Sequence, residues 1–167
     1  MVLKILIFKI IFIFSFFFLS SIELKKVVAK DLMIIGNAKI IDGDTIHIDQ
    51  NRIRLHGIDA PEINQKCFDN NTSWECGKDS AFALNKIINN HKVKCKIKGI
   101  DKYERYIGIC FSHKRNINKM MVRLGWAIAY RYYSLDYVAE EFIAKSKKLG
   151  IWKSKFEEPY LFRKKNR

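Results

Sequence analysis

The chain has 167 residues, 49% apolar and 13% aromatic, enough for one ordinary domain with its own core and too few for two. Two prolines and eight glycines exclude a long flexible linker, and no internal repeat marks a solenoid or propeller. Lys and Arg number 31 against 17 Asp and Glu, a formal net charge of +14, which favours polyanions: nucleic acid, anionic lipid or acidic polysaccharide.

Residues 1–29 form a separate object. Lys4 and Lys9 precede an apolar run from Ile10 to Leu19, closed by Ser20 and Ser21, the pattern of a secretory signal peptide. Val27-Val28-Ala29 offers small residues for a cut after Ala29. The alternative is an uncleaved membrane anchor, although the run falls short of the ~20 residues that a span requires. On either reading the chain is expected to be exported: periplasmic, held in the cell envelope or secreted. This segment holds four lysines and Glu23, a net of +3, so the remainder still carries +11.

From Met33 to Ile58, short aliphatic runs (Ile40-Ile41, Ile46 with Ile48, Ile53 with Leu55) are separated by the turn residues Asp42-Gly43-Asp44 and Asp49-Gln50-Asn51, which predicts three strands. Arg52 and Arg54 alternate with Ile53 and Leu55, so both arginines lie on the face opposite the aliphatics. Asn64 to Gly77 is polar and reads as a loop. Ala81, Phe82, Leu84, Ile87 and Ile88 follow at helical spacing over 79–90. Val93–Ile100 and Tyr106–Phe111 read as two further strands around a turn at Asp101–Arg105. Two helices close the domain, over 117–124 and 135–148, ended by Gly125 and Gly150. The expected domain covers residues 30–160, and 161–167 is expected to be a basic, mobile tail. The order suits a mainly β fold with helices: a five-stranded OB-fold Greek-key barrel plus three α-helices.

The cysteines Cys67, Cys76, Cys95 and Cys110 contain no C-x-x-C pair and have no histidine at zinc-ligand spacing, which argues against zinc. An even number in an exported chain points to disulfides, Cys67–Cys76 across the polar loop and Cys95–Cys110 across neighbouring strands; free buried thiols are the cytosolic alternative.

The chemistry is concentrated in Ile41-Asp42-Gly43-Asp44-Thr45 and in the run from Ile53 to Glu62. Together they bring carboxylates from a turn and from a strand end toward an arginine on an adjacent strand. Hard cations such as Ca2+ take carboxylate and carbonyl oxygens, which Asp44, Asp59 and the carbonyl of Ala60 can supply. Asp42 suits an outer partner of such a site and the first residue of a turn equally well.

These segments, with Asp101-Lys102-Tyr103-Glu104-Arg105, Val122-Arg123-Leu124-Gly125-Trp126-Ala127 and Gly150-Ile151-Trp152, resemble the staphylococcal nuclease family over roughly residues 33–153. The resemblance implies an OB-fold barrel and Ca2+-dependent cleavage of DNA and RNA. It implies that Asp44 and Asp59 bind the metal, that Arg54 and Arg105 contact phosphate, and that Glu62 activates water. Tyr103, Tyr130 and Tyr133 are candidates to stack on bases or touch a terminal phosphate. Two departures from the family pattern stand out: Ala60 replaces a threonine, and Glu104 occupies a position where a small turn residue is usual. Trp126 and Trp152 are expected to pack helices against the barrel, and His56 to be structural. The partner is expected to be nucleic acid, with the protein acting as a monomer. The competing function is a non-catalytic OB-fold module that binds single strands.

Overall fold

The structure, a computed structural model, describes residues 32–70 and 72–166. The expected signal peptide or anchor at 1–29 lies outside the described residues. Among the described residues, no helix is long and apolar enough to cross a membrane.

Among the described residues, eleven strands and four α-helices follow in order. They are β1 Met33–Gly36, β2 Ala38–Ile40, β3 Thr45–Ile48, β4 Asn51–Leu55, β5 Ile58–Asp59, β6 Cys67–Asp69, β7 Thr72–Trp74, α1 Cys76–Ile88, β8 Val93–Ile100, β9 Tyr106–Ser112, β10 Arg115–Asn116, α2 Ile117–Arg123, β11 Ile128–Ala129, α3 Val138–Ser146, a 3-10 turn Gly150–Lys153, and α4 Pro159–Lys165. The main sheet runs β1-β8-β9-β4-β3-β2, with β10 added to β9. β1 and β2 sit at opposite ends of that path yet are separated in the chain only by Asn37, so one bent N-terminal strand nearly closes the sheet into a barrel. β4 and β9 pair in parallel, because α1 and β8 intervene before the chain returns.

The five strands expected from the sequence correspond to the bent β1–β2, β3, β4, β8 and β9. The short pairs β5–β11 and β6–β7 are additional, as is a fourth helix. Residues 64–77 are therefore not a plain loop: Cys67–Asp69 and Thr72–Trp74 form a hairpin. Helix α4 occupies most of the stretch expected to be a tail. Pro159 at its first turn is preset for helix, and its ring is buried.

Alternation sets the core. Ile46, Ile48, Ile53 and Leu55 point inward from β3 and β4 and are at most 1% exposed. Leu84, Ile87 and Ile88 of α1 and Ile117, Met121 and Val122 of α2 close over them. Burial of each such side chain contributes roughly 1.5–3 kcal/mol. Phe82, expected on the same helical stripe, instead lies outside, 57% exposed, with Lys86 over its ring. Trp126 packs at the edge of this core, and Trp152 joins a smaller cluster with Ile151 and Phe156.

One buried amide pins α2 to the barrel. Asn118 donates to the carbonyls of His56 at 2.9 Å and Gly108 at 3.1 Å and accepts from the Cys110 N–H at 3.0 Å. Both expected disulfides form. Cys95 and Cys110 are directly opposite in the β8–β9 register, and Cys67–Cys76 ties the β6–β7 hairpin to the start of α1. Non-reduced peptide mapping should recover these two links and no others. Replacing Cys95 and Cys110 together by alanine should lower unfolding stability by about 3 kcal/mol, read from urea melts, for a loop of this 15-residue separation.

Candidate active site

The site starts in the turn between β2 and β3. Asp42 Oδ1 accepts the Asp44 N–H at 2.9 Å, closing an Asx turn. A Cβ at Gly43 would lie 2.0 Å from Ser80 Oγ and 2.7 Å from Ala60 Cβ, so only glycine lets the turn pack against α1. The turn leaves Asp44 beside Thr45, which pairs with Arg54 across the β3–β4 ladder. Arg54 then bridges two carboxylates, Nη1 to Asp44 Oδ1 at 2.5 Å and Nη2 to Asp59 Oδ1 at 2.7 Å. Asp59, fully buried, is presented by β5, which pairs with β11. Asp44 Oδ2 accepts the Ala60 N–H at 2.9 Å, and Asp44 Oδ1 also accepts from the Thr45 hydroxyl.

Glu62 follows on a loop held by Gln65, which is 1% exposed. Gln65 Oε1 accepts the Glu62 N–H at 3.2 Å, the Glu62 carbonyl accepts the Gln65 N–H at 2.8 Å, and Gln65 Nε2 donates to the Glu157 carbonyl at 2.7 Å. The start of α1 leans on the same loop: a Cβ at Gly77 would sit 1.8 Å from the Glu62 carbonyl oxygen.

A residue that the sequence did not reveal completes the cluster. Arg163, on α4, donates from Nη1 to both Asp59 Oδ1 and Glu62 Oε1 at 2.8 Å, and from Nη2 to Asp59 Oδ2 at 3.0 Å. Burial works against the charge on both Arg54 and Arg163. The carboxylates outweigh it: Asp44 and Asp59 keep Arg54 more basic than an ordinary arginine, and Asp59 and Glu62 do the same for Arg163. Burial, reinforced by the charge on Asp44, raises Asp59 above the usual carboxylate range, with Arg163 and Arg54 opposing the shift. Burial and the Asp44 charge push Asp42 up to about 7. The floor thus sets four carboxyl groups against two guanidinium groups, with Asp42 and Asp59 holding their protons more tightly than ordinary carboxyls.

A cleft of about 690 Å³ opens over this floor, lined among others by Asp42, Arg54, Glu62, Arg105, Tyr130 and Arg163. Arg105 reaches it from the β8–β9 turn without touching the acidic cluster. Its Nε and Nη2 both contact Asp101 Oδ2, at 2.8 and 2.7 Å. Burial opposes the charge on Asp101, but the hydrogen bonds from the Arg105 side chain and the Arg105 and Tyr103 N–H groups hold its carboxyl below the usual range. The neighbouring Glu104 is not Arg105's partner. Its φ of 61° explains why a small residue suits that position. Tyr103 lies under Lys102 and Arg105. Tyr130, Tyr132 and Tyr133 form a ring cluster on the cleft wall, with centroids 5.0–6.3 Å apart. Buried Glu141 anchors that segment by accepting from the Ala129 N–H and from Arg131. His56 is not among the lining residues; burial lowers its pKa, and its nearest carboxylate is Asp136 at 3.9 Å.

Of the residues expected at the site, Arg54, Glu62, Arg105, Tyr103, Tyr130 and Tyr133 line the cleft, whereas Asp44, Asp59 and Ala60 are buried and linked to it through Arg54 and Asp44. Asp42 both closes its turn and lines the cleft. Among the described residues, no group of three or more His, Cys, Asp and Glu side chains is arranged to hold a metal ion. The pair Asp44 and Asp59 nonetheless fits a hard cation in donor chemistry. A carboxylate oxygen accepts about two partners. Each Oδ1 already has two, whereas each Oδ2 has one, Ala60 N on Asp44 and Arg163 Nη2 on Asp59, leaving room for another. Two carboxylates with open capacity, beside Asp42, offer the oxygen donors that suit Ca2+ better than a soft metal.

Comparison with known proteins bears on this geometry. The family described as staphylococcal nuclease homologue matches residues 52–154, a stretch that holds Arg54, Asp59, Glu62 and Arg105. A succinoglycan biosynthesis protein, ExoI, of Rhizobium meliloti is 36% identical over 128 residues, covering 74% of this chain and 67% of the relative. An uncharacterized endonuclease of Haemophilus influenzae is 34% identical over 121 residues, 68% of this chain and 63% of the relative. A micrococcal nuclease of Shigella flexneri is 31% identical over 144 residues, 75% of this chain and 78% of the relative.

The packing of α1 on the Glu62 loop can be tested directly. Gly77→Ala drives a methyl against the Glu62 carbonyl and should cost about 1–3 kcal/mol, seen as a lower urea midpoint at unchanged m-value. An unchanged midpoint would contradict the contact.

Proposed function

The chain belongs to the staphylococcal nuclease family, and on that premise we propose that it is a calcium-dependent endonuclease hydrolysing phosphodiester bonds of DNA, RNA or both. The observation that carries the proposal is the Arg54 bridge between Asp44 and Asp59, at the floor of a cleft also lined by Glu62 and Arg105. A structural acidic site gains nothing from a cleft walled by cations and tyrosines. A phosphodiester gains from both.

A phosphodiester resists attack because its anionic oxygens repel the nucleophile and the transition state gathers further charge. Arg54 and Arg105 present guanidinium forks that donate to those oxygens. Arg105 is oriented for this by Asp101, and Arg54 by its two carboxylates. Glu62 orients a water molecule and takes its proton as the water oxygen bonds to phosphorus and the bond to one ester oxygen breaks. Asp44, Asp59 and the carbonyl of Ala60 are the residues that would hold Ca2+, which when bound neutralises charge on the reacting phosphate. Tyr130 and Tyr133 offer stacking faces to the bases, with Tyr103 on the opposite turn.

The same reading places the protein outside the cytoplasm, supported by the signal-like N-terminus and by two disulfides. Cell fractionation that found it only in the cytosol with free thiols would count against export.

Single-stranded DNA incubated with the protein lacking residues 1–29 should be cut with Ca2+ and spared by excess chelator. Glu62→Gln should lower kcat by two or more orders of magnitude, on the scale of general-base loss, while DNA binding is retained. Arg54→Lys should also depress kcat, because an ammonium cannot reproduce the fork across two oxygens. Salt-sensitive binding without cutting by the unmutated protein would transfer the assignment to a binding module.

A further inference from the structure

Arg163 stands 104 residues after Asp59 and 101 after Glu62, beyond the stretch that matches the family. Its composition context, Arg163-Lys164-Lys165-Asn166-Arg167, is that of a solvated tail. Yet its side chain is only 24% exposed, and one nitrogen serves a wholly buried carboxylate and Glu62 at once.

The Glu62 side chain is 30% exposed, so water is available to it as an alternative to this position. Left alone beside Asp59, it would be driven outward, because like charges in a partly desolvated site repel strongly. A cation between the two carboxylates makes their juxtaposition the favourable arrangement. Arg54 does not fill that role: its carboxylate partners are Asp44 and Asp59, not Glu62. Arginine suits the task because its planar fork donates to two oxygens of Asp59 and keeps a hydrogen for Glu62.

The backbones on both sides of this contact are tied together independently. Gln65, which receives the Glu62 N–H, donates through its other terminal atom to the carbonyl of Glu157, just before α4 begins. Glu158 caps the approach, its carbonyl accepting the Phe162 N–H, and Pro159 is buried. The helix that carries Arg163 is thus held at a set distance from the loop that carries Glu62.

We propose that Arg163 is a positioning residue for the cleavage reaction, holding the Glu62 carboxylate beside Asp59 from the last helix of the chain. The proposal rests on the nuclease reading above. It assigns a role to α4: the end of the chain completes the acidic side of the cleft, and Arg163 acts on the reaction through Glu62.

The test is a double-mutant cycle on the same protein, with R163Q, E62Q and the pair, measuring kcat and KM on single-stranded DNA with Ca2+. Calorimetric Ca2+ titration and thermal melts of each variant accompany the kinetics. R163Q should lower kcat roughly 10- to 100-fold, as loss of an orienting partner does, with KM changed by no more than about threefold. In the E62Q background the same substitution should cost less than about twofold, since the group it positions is already disabled. R163K should recover part of kcat, and it carries the comparison if R163Q proves unfolded at the assay temperature. Ca2+ should bind R163Q at least as tightly as the unmutated protein, because a competing cation on Asp59 has been removed. Independent, multiplying losses in the double mutant would overturn the proposal. So would unchanged kcat in a folded R163Q, or loss of its Ca2+ binding, which would place the role at the metal instead. An unmutated protein that does not cleave overturns the nuclease reading and this inference with it, whereas normal cleavage by both proteins overturns the inference alone.

Discussion

Four carboxylates, Asp42, Asp44, Asp59 and Glu62, converge on one end of the barrel, and much of the surrounding structure exists to make that convergence tolerable. Burial first, and then the neighbouring charge of Asp44, pushes Asp42 up to about 7. Arg54 offsets Asp44 and Asp59, and Arg163 offsets Asp59 and Glu62.

Such a cluster needs a rigid frame, because each side chain would relax outward if its backbone allowed. The frame consists of short, local devices. Gly43 lets the acidic turn press against α1, the β3–β4 register sets Arg54 beside Asp44, and the two-residue pair β5–β11 holds Asp59 in the interior. Gln65 and Gly77 hold the Glu62 loop between α1 and the C-terminal segment. The Cys67–Cys76 link closes the hairpin next to that loop. Asn118 performs the same service on the far side of the barrel, joining α2 to β9.

The walls of the cleft carry the opposite chemistry from its floor. Arg52, Lys102, Arg105 and the tyrosines face the space above the carboxylates. An acidic floor alone would repel a polyanion, and a basic cleft alone would hold one without acting on it. On the proposed function, the walls would attract a phosphate while its reacting group met the carboxylate oxygens and Glu62. Arg105 stays on the wall because Asp101 occupies one edge of its fork.

Local sequence determined the parts of this protein that depend on neighbours in the chain. The period-two aliphatics of β3 and β4, the helical spacing of α1 and the Asp42-Gly43-Asp44 turn are short-range patterns, and they appear where those patterns point. Asp44, Arg54, Asp59, Glu62 and Arg105 stand out together through the resemblance to the nuclease family, and it is the barrel that brings them close in space. Only the tertiary structure decided what crosses the chain. Near-closure of the barrel depends on a bend at Asn37 that no residue type announces, and Phe82 turned outward although its spacing matched the core. Arg163 entered the site from a run of basic residues whose composition spoke only of solvent. Its partners lie about a hundred positions away, and an ion pair across that separation leaves no periodic trace; it exists because packing brings α4 to the Glu62 loop and the buried carboxylates there require a counter-charge.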